Sequence, residues 1–295
     1  MSTIDALQGM PGLYLAGAGL LGLVVGSFLN VVIHRLPLMM ERQWRRQCSD
    51  LLGEPAAGAP EQARLDLISP PSRCPHCGHR IGPAENIPIV SYLFLKGRCK
   101  ACGAPISVRY PLVELGTGVL SVIVVWQLGL TWAAGAALVL TWALICLSVI
   151  DIDHQILPDA ITLPLLWAGL LVNLSGLFVD SPASIIGAAS GYLALWLIYK
   201  GFKWLTGKEG MGYGDFKLLA MLGAWLGWKV LPLVILLSSV VGAVTGIAMV
   251  IARAGTRTSP FPSGPTWPPP VGWPCCGATT SSMVISPSWA SADPP

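Results

Sequence analysis

Charged residues are scarce in this chain. Only 11% of its 295 residues are Asp, Glu, Lys or Arg, whereas a soluble globular protein carries about 25%. Hydrophobic residues make up 53% of the chain, and the mean hydropathy is +0.64. This composition excludes an intrinsically disordered chain, which needs low hydrophobicity and high charge. It also argues against a water-soluble fold, because one domain of this size could not bury so many apolar side chains.

The apolar runs also lack the two-residue alternation that a membrane β-barrel requires. They are roughly 20 residues long, which is the length of a transmembrane helix. We therefore predict an all-α fold, a polytopic transmembrane helical bundle of about seven spans. The predicted spans are residues 11–33, 111–129, 132–150, 160–178, 184–205, 215–228 and 230–252. No internal repeat of useful length is present in the sequence, which argues against the inverted-repeat transporters.

The basic residues are unevenly distributed. Eleven of the 18 Lys and Arg residues lie in segment 34–110, so the positive-inside rule places this segment in the cytoplasm and the N-terminus outside. No basic segment precedes the first apolar run, so we expect a retained transmembrane helix rather than a cleaved signal peptide. The predicted domains are a first helix in 1–33, a cytoplasmic loop domain in 34–110, a membrane core in 111–252 and a tail in 253–295.

Four of the eight cysteines form two Cys-x-x-Cys pairs, Cys74 with Cys77 and Cys99 with Cys102. A glycine follows each pair, which permits the tight turn of a zinc knuckle. Four thiolates suit tetrahedral Zn²⁺, and a reducing cytoplasm favours a metal over disulfides. Because four protein ligands leave no open coordination position, we expect a structural zinc site rather than a catalytic one. Incidental pairs or a redox dithiol are the alternatives.

Carboxylates at membrane depth are costly, so each one is a candidate functional residue. Asp151 and Asp153 follow one long apolar run, and Asp215 opens another. Two carboxylates brought together could share a proton and act as general base and general acid, as in aspartic proteases. Because Asp151 and Asp153 lie on different sides of a helix, only one of them is expected to face Asp215. Asp159 is expected to serve as the N-cap of the next helix.

Two other functional classes remain open on the residues alone. A membrane transporter would place its carboxylates near the bilayer midplane, whereas both aspartate sites fall at the ends of predicted spans. A non-enzymatic scaffold of a secretion machine would leave these carboxylates without a role. His34, Arg35 and Glu114 lie at helix ends, and we expect anchoring and packing roles for them rather than substrate contact. We expect no nucleic-acid partner.

Five motifs that follow one another within residues 11–252 resemble those of the type IV prepilin peptidases, or prepilin leader peptidase/N-methyltransferases. The motifs are Gly26-Ser-Phe-Leu-Asn-Val-Val-Ile-His-Arg-Leu-Pro37, the two cysteine pairs flanking Asn86–Tyr92, Arg109-Tyr-Pro-Leu-Val-Glu114, Asp151-Ile-Asp153, and Gly212-Tyr-Gly-Asp215. The last motif is the one that names the GxGD membrane aspartyl proteases. A lone Gly-x-Gly-Asp is a weak signal, but all five in one order are highly specific.

The resemblance implies an enzyme of the bacterial inner membrane, with eight spans in the family and a periplasmic N-terminus. It implies cytoplasmic cleavage of the leader peptide of type IV prepilins and pseudopilins, followed by N-methylation of the new terminus with S-adenosylmethionine. The partners implied are these precursors, from type IV pilus and type II secretion systems, and membrane lipid. The family's catalytic aspartates fall on Asp151 and Asp215. Gly97, in a family Gly-Arg of the loop, becomes a candidate cofactor-binding residue, although the sequence carries no methyl-donor fingerprint.

The C-terminal tail departs from the family pattern. Family members continue with a Pro-Phe-Gly-Pro stretch and a last transmembrane helix, whereas residues 254–295 are rich in proline and cannot form a stable helix. We hypothesise that the reading frame shifts near residues 253–259, in the gene or in its recorded sequence. The predicted aspartates and cysteines all precede this break.

Overall fold

The computed structural model describes residues 10–52, 65–208 and 212–254. The tail after residue 254, including most of the segment in which we predict a frameshift, lies outside the described residues. The chain divides into two compact units, residues 1–39 with 63–258 and residues 40–62 with 259–295. Of the second unit only residues 40–52 are described, and they are helical. The site lies in the first unit.

The described residues are helical apart from turns and two isolated β-bridges. The helices are α1 (Pro11–Leu52), α2 (Val90–Phe94), α3 (Arg109–Leu128), α4 (Trp132–His154), α5 (Asp159–Val172), α6 (Ser181–Thr206), α7 (Tyr213–Leu226) and α8 (Leu231–Ala254). Single 3₁₀ turns occur at Pro83–Asn86, Asn173–Ser175 and Trp228–Val230. The predicted all-α fold is therefore confirmed, and each predicted span overlaps one of these helices.

Five segments among the described residues are long and apolar enough to cross a membrane. They are Pro11–Leu51, Arg109–Leu128, Trp132–His154, Ser181–Thr206 and Trp228–Ala248. Helices α5 and α7 have only 14 residues each, which is about 21 Å at 1.5 Å per residue and shorter than a hydrocarbon core of about 30 Å. The chain is thus a membrane protein, and its number of spans stays a prediction. Helix α1 continues beyond the predicted end of its span to Leu52.

Glycines bring the backbones of α6 and α7 into direct contact. A Cβ atom at Gly187 would lie 2.2 Å from the carbonyl oxygen of Gly223, and one at Gly191 would lie 2.6 Å from that of Leu219. Small residues permit this close approach between apolar helices, where van der Waals contact drives association. The spacing of α6 and α7 therefore depends on having no side chain at these positions.

A buried polar network fixes the C-terminal end of α7. The amide of Asn173 donates to the carbonyl oxygens of Ala224 (2.8 Å) and Trp225 (3.1 Å). The hydroxyl of Ser184 also donates to Ala224, at 2.6 Å, and the indole of Trp225 donates to Leu165 at 2.8 Å. The bonds to Ala224 and Trp225 satisfy carbonyls that the end of α7 leaves unpaired, and the bond from the Trp225 indole reaches a carbonyl inside α5. They tie α7 to both α5 and α6.

The first motif of the sequence, which begins at Gly26, packs α1 against α3. A Cβ atom at Gly26 would lie 2.8 Å from the Cα atom of Glu114, and the Asn30 amide donates to the carbonyl of Tyr110 at 3.1 Å. A core cluster of buried residues continues this contact to α4 and comprises Leu29, Val32, Ile33, Val113, Cys146 and Ile150. Because Ile150 directly precedes Asp151, this packing places the end of α4.

Candidate active site and metal centre

Each Cys-x-x-Cys pair forms a hydrogen-bonded knuckle. In the first, the Cys74 N–H donates to His79 (2.9 Å) and the Gly78 N–H donates back to Cys74 (2.9 Å). In the second, the Cys99 N–H donates to Ala104 at 2.8 Å and the Gly103 N–H donates to Cys99 at 2.9 Å. Gly78 and Gly103 have φ values of +70° and +72°, a conformation that favours glycine.

The two knuckles bring all four predicted cysteine ligands together, with their sulfur atoms within 4.8 Å of one another. Cys74 Sγ lies 3.8 Å from Cys102 Sγ, and Cys77 Sγ lies 4.0 Å from Cys99 Sγ. Tetrahedral zinc with Zn–S bonds of about 2.3 Å requires S···S separations of about 3.8 Å. A disulfide requires about 2.05 Å. The cluster therefore has the geometry of a four-thiolate metal site.

The electrostatics of the cluster also favour a cation. Backbone N–H groups of Cys77 and His76 lower the pKa of the Cys74 thiol to about 7. Although the backbone of His79 donates to Cys77, burial and the three neighbouring sulfur atoms raise the pKa of the Cys77 thiol to about 12. Ionising all four thiols beside one another therefore costs free energy, and a bound divalent cation offsets that cost.

His79 links the two knuckles through Glu85. Its Nε2 lies 3.1 Å from Glu85, which also pairs with Lys100 of the second knuckle at 3.3 Å. The hydrogen bond from His79, followed by that from Lys100, lowers the pKa of the Glu85 carboxyl. The sequence did not predict this bridge, because it depends on how the two knuckles pair.

Gly97 occupies a tight turn against Tyr92. Its φ is +66°, and a Cβ atom there would lie 2.9 Å from the Tyr92 hydroxyl oxygen. Its N–H donates to Tyr92 at 2.9 Å, and its carbonyl accepts from Ile106 at 2.7 Å. These contacts by themselves require glycine at position 97. That Gly97 contacts a cofactor stays a prediction.

Arg35 and Glu114 make packing contacts, as expected. The Arg35 guanidinium donates to the carbonyls of Asp66 (2.9 Å), Leu67 (3.2 Å) and Pro70 (2.6 Å). The Glu114 carboxylate accepts the N–H of Ile89 at 2.8 Å. Both side chains therefore attach the loop domain to the helices, and His34 is exposed.

The two predicted catalytic aspartates lie at the end of α4 and at the start of α7. Asp151 is in the last turn of α4, where the N–H of Gln155 closes the helix onto its carbonyl at 2.8 Å. Asp215 is in the first turn of α7. A Cβ atom at Gly214 would lie only 2.9 Å from Cβ of Leu157, which follows α4, so this glycine permits the two segments to touch.

The other two aspartates of this region are held in ion pairs. Asp153 pairs with Arg109, the first residue of α3. Asp159 accepts from the ammonium of Lys217 through both carboxylate oxygens, at 2.6 and 2.8 Å. The prediction that Asp159 caps α5 is wrong: Pro158 is the N-cap residue, and Asp159 is drawn to Lys217 instead. Of the two candidates on α4, Asp151 is thus the one outside this ion pair.

An aromatic cluster surrounds the start of α7, and sequence reasoning missed it. Its members are Tyr192 and Tyr199 on α6 with Tyr213 and Phe216 on α7, at ring-centroid distances of 5.6–5.9 Å. Spacings of seven residues on α6 and three on α7 place each pair on one helix face, which is the signal that could have revealed it. The cluster packs α7 against α6 close to Asp215.

Aspartates at the ends of apolar helices whose adjoining segments touch are the arrangement expected of a membrane peptidase of the aspartic type. The model of the bacterial peptidase A24 N-terminal domain matches residues 20–128, and the model of the type IV leader peptidase family matches residues 138–247. The chain belongs to the type IV leader peptidase family.

Curated relatives bear the name prepilin leader peptidase/N-methyltransferase. The protein of Stutzerimonas stutzeri is 56% identical over 265 residues, which cover 90% of this chain and 91% of that protein. The Pseudomonas aeruginosa protein is 56% identical over 266 residues, with the same coverage. The Aeromonas hydrophila protein is 54% identical over 262 residues, covering 89% and 90% of the two chains. No solved structure matches the chain significantly.

Proposed function

We propose that this protein is an integral membrane aspartic endopeptidase that removes the leader peptide of type IV prepilins and pseudopilins and then N-methylates the new terminus. The observation that supports the peptidase proposal is the close contact of Gly214 with Leu157, which brings the first turn of α7, with Asp215, against the segment that follows Asp151 on α4. The relatives' name supports both activities and the prepilin substrate. Asp151 is three residues from the end of α4, a position that suits a boundary protease better than a transporter.

The paired carboxyls would share one proton and divide the chemistry between them. The ionised carboxylate takes a proton from a water molecule as the water oxygen attacks the scissile carbonyl carbon. The protonated carboxyl gives its proton to the leaving amine nitrogen as the C–N bond breaks. Water is thus divided between the two products, and each carboxyl ends in the state in which the other began.

The four cysteines would hold a structural Zn²⁺, since the sulfur separations fit the ion and no coordination position stays open. Zinc would join the knuckles and so brace the loop between α1 and α3.

S-adenosylmethionine would supply the electrophilic methyl group for the second activity. The space beside Gly97 is filled by Tyr92, so the geometry there reveals no cradle for this donor. The relatives' name is therefore what supports N-methylation.

We further propose that the protein lies in the bacterial inner membrane with its loop domain and aspartates on the cytoplasmic side and its N-terminus in the periplasm. The basic residues of segment 34–110 support this orientation. Reduced thiols, which the metal site requires, also suit the cytoplasm.

The test is cleavage of a prepilin-like peptide by the purified chain in detergent, followed by mass spectrometry of both products. We expect one cut and one added methyl group when the donor is supplied. Asp151→Asn and Asp215→Asn should each lower kcat by at least about 100-fold, the usual scale for losing an acid or base. Asp180→Asn is the matched control, because this exposed aspartate precedes α6 and makes no side-chain cap. Normal cleavage by either active-site variant would refute the proposal.

A further inference from the structure

Asp151 and Asp215 are each followed, two residues later, by a charged side chain that forms an ion pair with another helix. Asp153 follows Asp151 and pairs with Arg109. Lys217 follows Asp215 and pairs with Asp159. Residues two apart on a helix point about 200° away from each other. Each ion pair is therefore formed on the side of its helix end opposite to Asp151 or Asp215.

The Arg109–Asp153 pair spans a gap that packing does not fill. Helices α3 and α4 are separated at this level by a groove of about 700 Å³ that both residues line. The side chains are 41% and 27% exposed, but the Nη2 atom of Arg109 is buried. This nitrogen has no hydrogen-bond partner among the described residues, so the ion pair with Asp153 is the contact that offsets its burial. The pair therefore joins the first residue of α3 to the last turn of α4.

Helix stability does not explain why these charges are where they are. A cation at the N-terminus of a helix and an anion at the C-terminus each oppose the helix dipole and so destabilise the helix. Arg109 and Asp153 both occupy these unfavourable ends. Their mutual attraction offsets this cost, and the result is a fixed position for the last turn of α4. That turn also carries Asp151.

We propose that Arg109 and Asp153 are positioning residues, whose ion pair holds the Asp151 carboxyl in register with Asp215. The inference rests on the proposed peptidase function and extends it to residues that do not touch the substrate. Arg109 also offsets the negative charge of Asp153, which lies two residues from Asp151. A misplacement of about 1 Å can lower a rate on the order of 100-fold.

The experiment measures kcat and KM for a prepilin-like peptide with the full chain in detergent. Asp153→Asn and Arg109→Gln should each lower kcat by about 10-fold or more while KM changes by less than about 2-fold, since positioning acts on the bound state. The double variant should be no worse than either single variant. Arg109→Lys, which keeps the charge, and the exchange Arg109→Asp with Asp153→Arg should both recover part of kcat. Asp180→Asn is the matched control for loss of a boundary carboxylate.

Unchanged kcat in both single variants, or losses that multiply in the double variant, overturns the inference. So does a failure of both the lysine variant and the charge exchange to recover activity. A structural role alone would lower the amount of folded protein rather than its kcat, so zinc content and thermal unfolding are measured on the same samples. Activity in Asp151→Asn would instead refute the proposed peptidase pair, which keeps the two failures distinct.

Discussion

Gly214 should be required for the full rate of cleavage, whereas Gly212, the other glycine of the Gly-Tyr-Gly-Asp motif, should not. A Cβ atom at position 214 would lie 2.9, 3.3 and 3.6 Å from three carbons of Leu157. Because comfortable carbon–carbon contacts begin near 3.5 Å, Gly214→Ala must move the start of α7 from Leu157 by about 0.6 Å or more. Asp215 is the next residue and moves with it. On the scale of about 100-fold per 1 Å, kcat should fall by roughly 10-fold.

Gly212→Ala is the matched control, because a Cβ atom at Gly212 meets nothing within 4 Å and its φ of −77° is ordinary. Alanine stabilises a helix relative to glycine by about 0.5–1 kcal/mol. A lower kcat in Gly214→Ala therefore does not come from a lower helix propensity. The assay is kcat for a prepilin-like peptide at equal amounts of folded protein. Leu157→Gly should recover part of the lost rate by removing the opposing Cβ. Equal losses in the two alanine variants would refute the packing argument.

Three further predictions follow from the ion pairs and the loop domain. Purified protein should contain about one Zn²⁺ per chain by metal analysis, and Cys74→Ser should lose it; two disulfides and no metal would contradict the site. Lys217→Gln should lower kcat by about 10-fold without changing KM, and Lys217→Arg, which keeps the pair with Asp159, should retain more activity. Gly97→Ala should lower thermal stability and zinc retention together, because its Cβ meets Tyr92; a loss of methyl transfer alone would instead assign Gly97 to the donor.

The sequence predicts the parts of this protein that depend on local pattern. Apolar runs indicated the helices because lipid, rather than a partner segment, solvates them. Cysteine spacing predicted the metal ligands, since each knuckle closes on itself through a few hydrogen bonds. The continuation of α1 to Leu52 was not predicted, because a helix needs no apolar side chains once it leaves the membrane.

The sequence pattern does not predict contacts between segments that are distant along the chain. Asp159 is a good N-cap by type, and only the position of Lys217 on another helix explains why it pairs instead. In the same way, Asp151 and Asp153 are equivalent candidates by position, and the structure separates them through Arg109. Such ion pairs join helices that are far apart along the chain, so neither hydrophobic periodicity nor motif spacing predicts them.

The position of Asp215 has three independent supports, and this makes graded effects the expected signature. Asn173 holds the C-terminal end of α7 through the carbonyls of Ala224 and Trp225. At the other end, Gly214 and Lys217 locate the first turn. Because α7 is a short helix held at both ends, removing one support shifts the carboxyl by a fraction of an ångström. Removal of a support should therefore slow the reaction, whereas removal of a catalytic carboxyl should stop it.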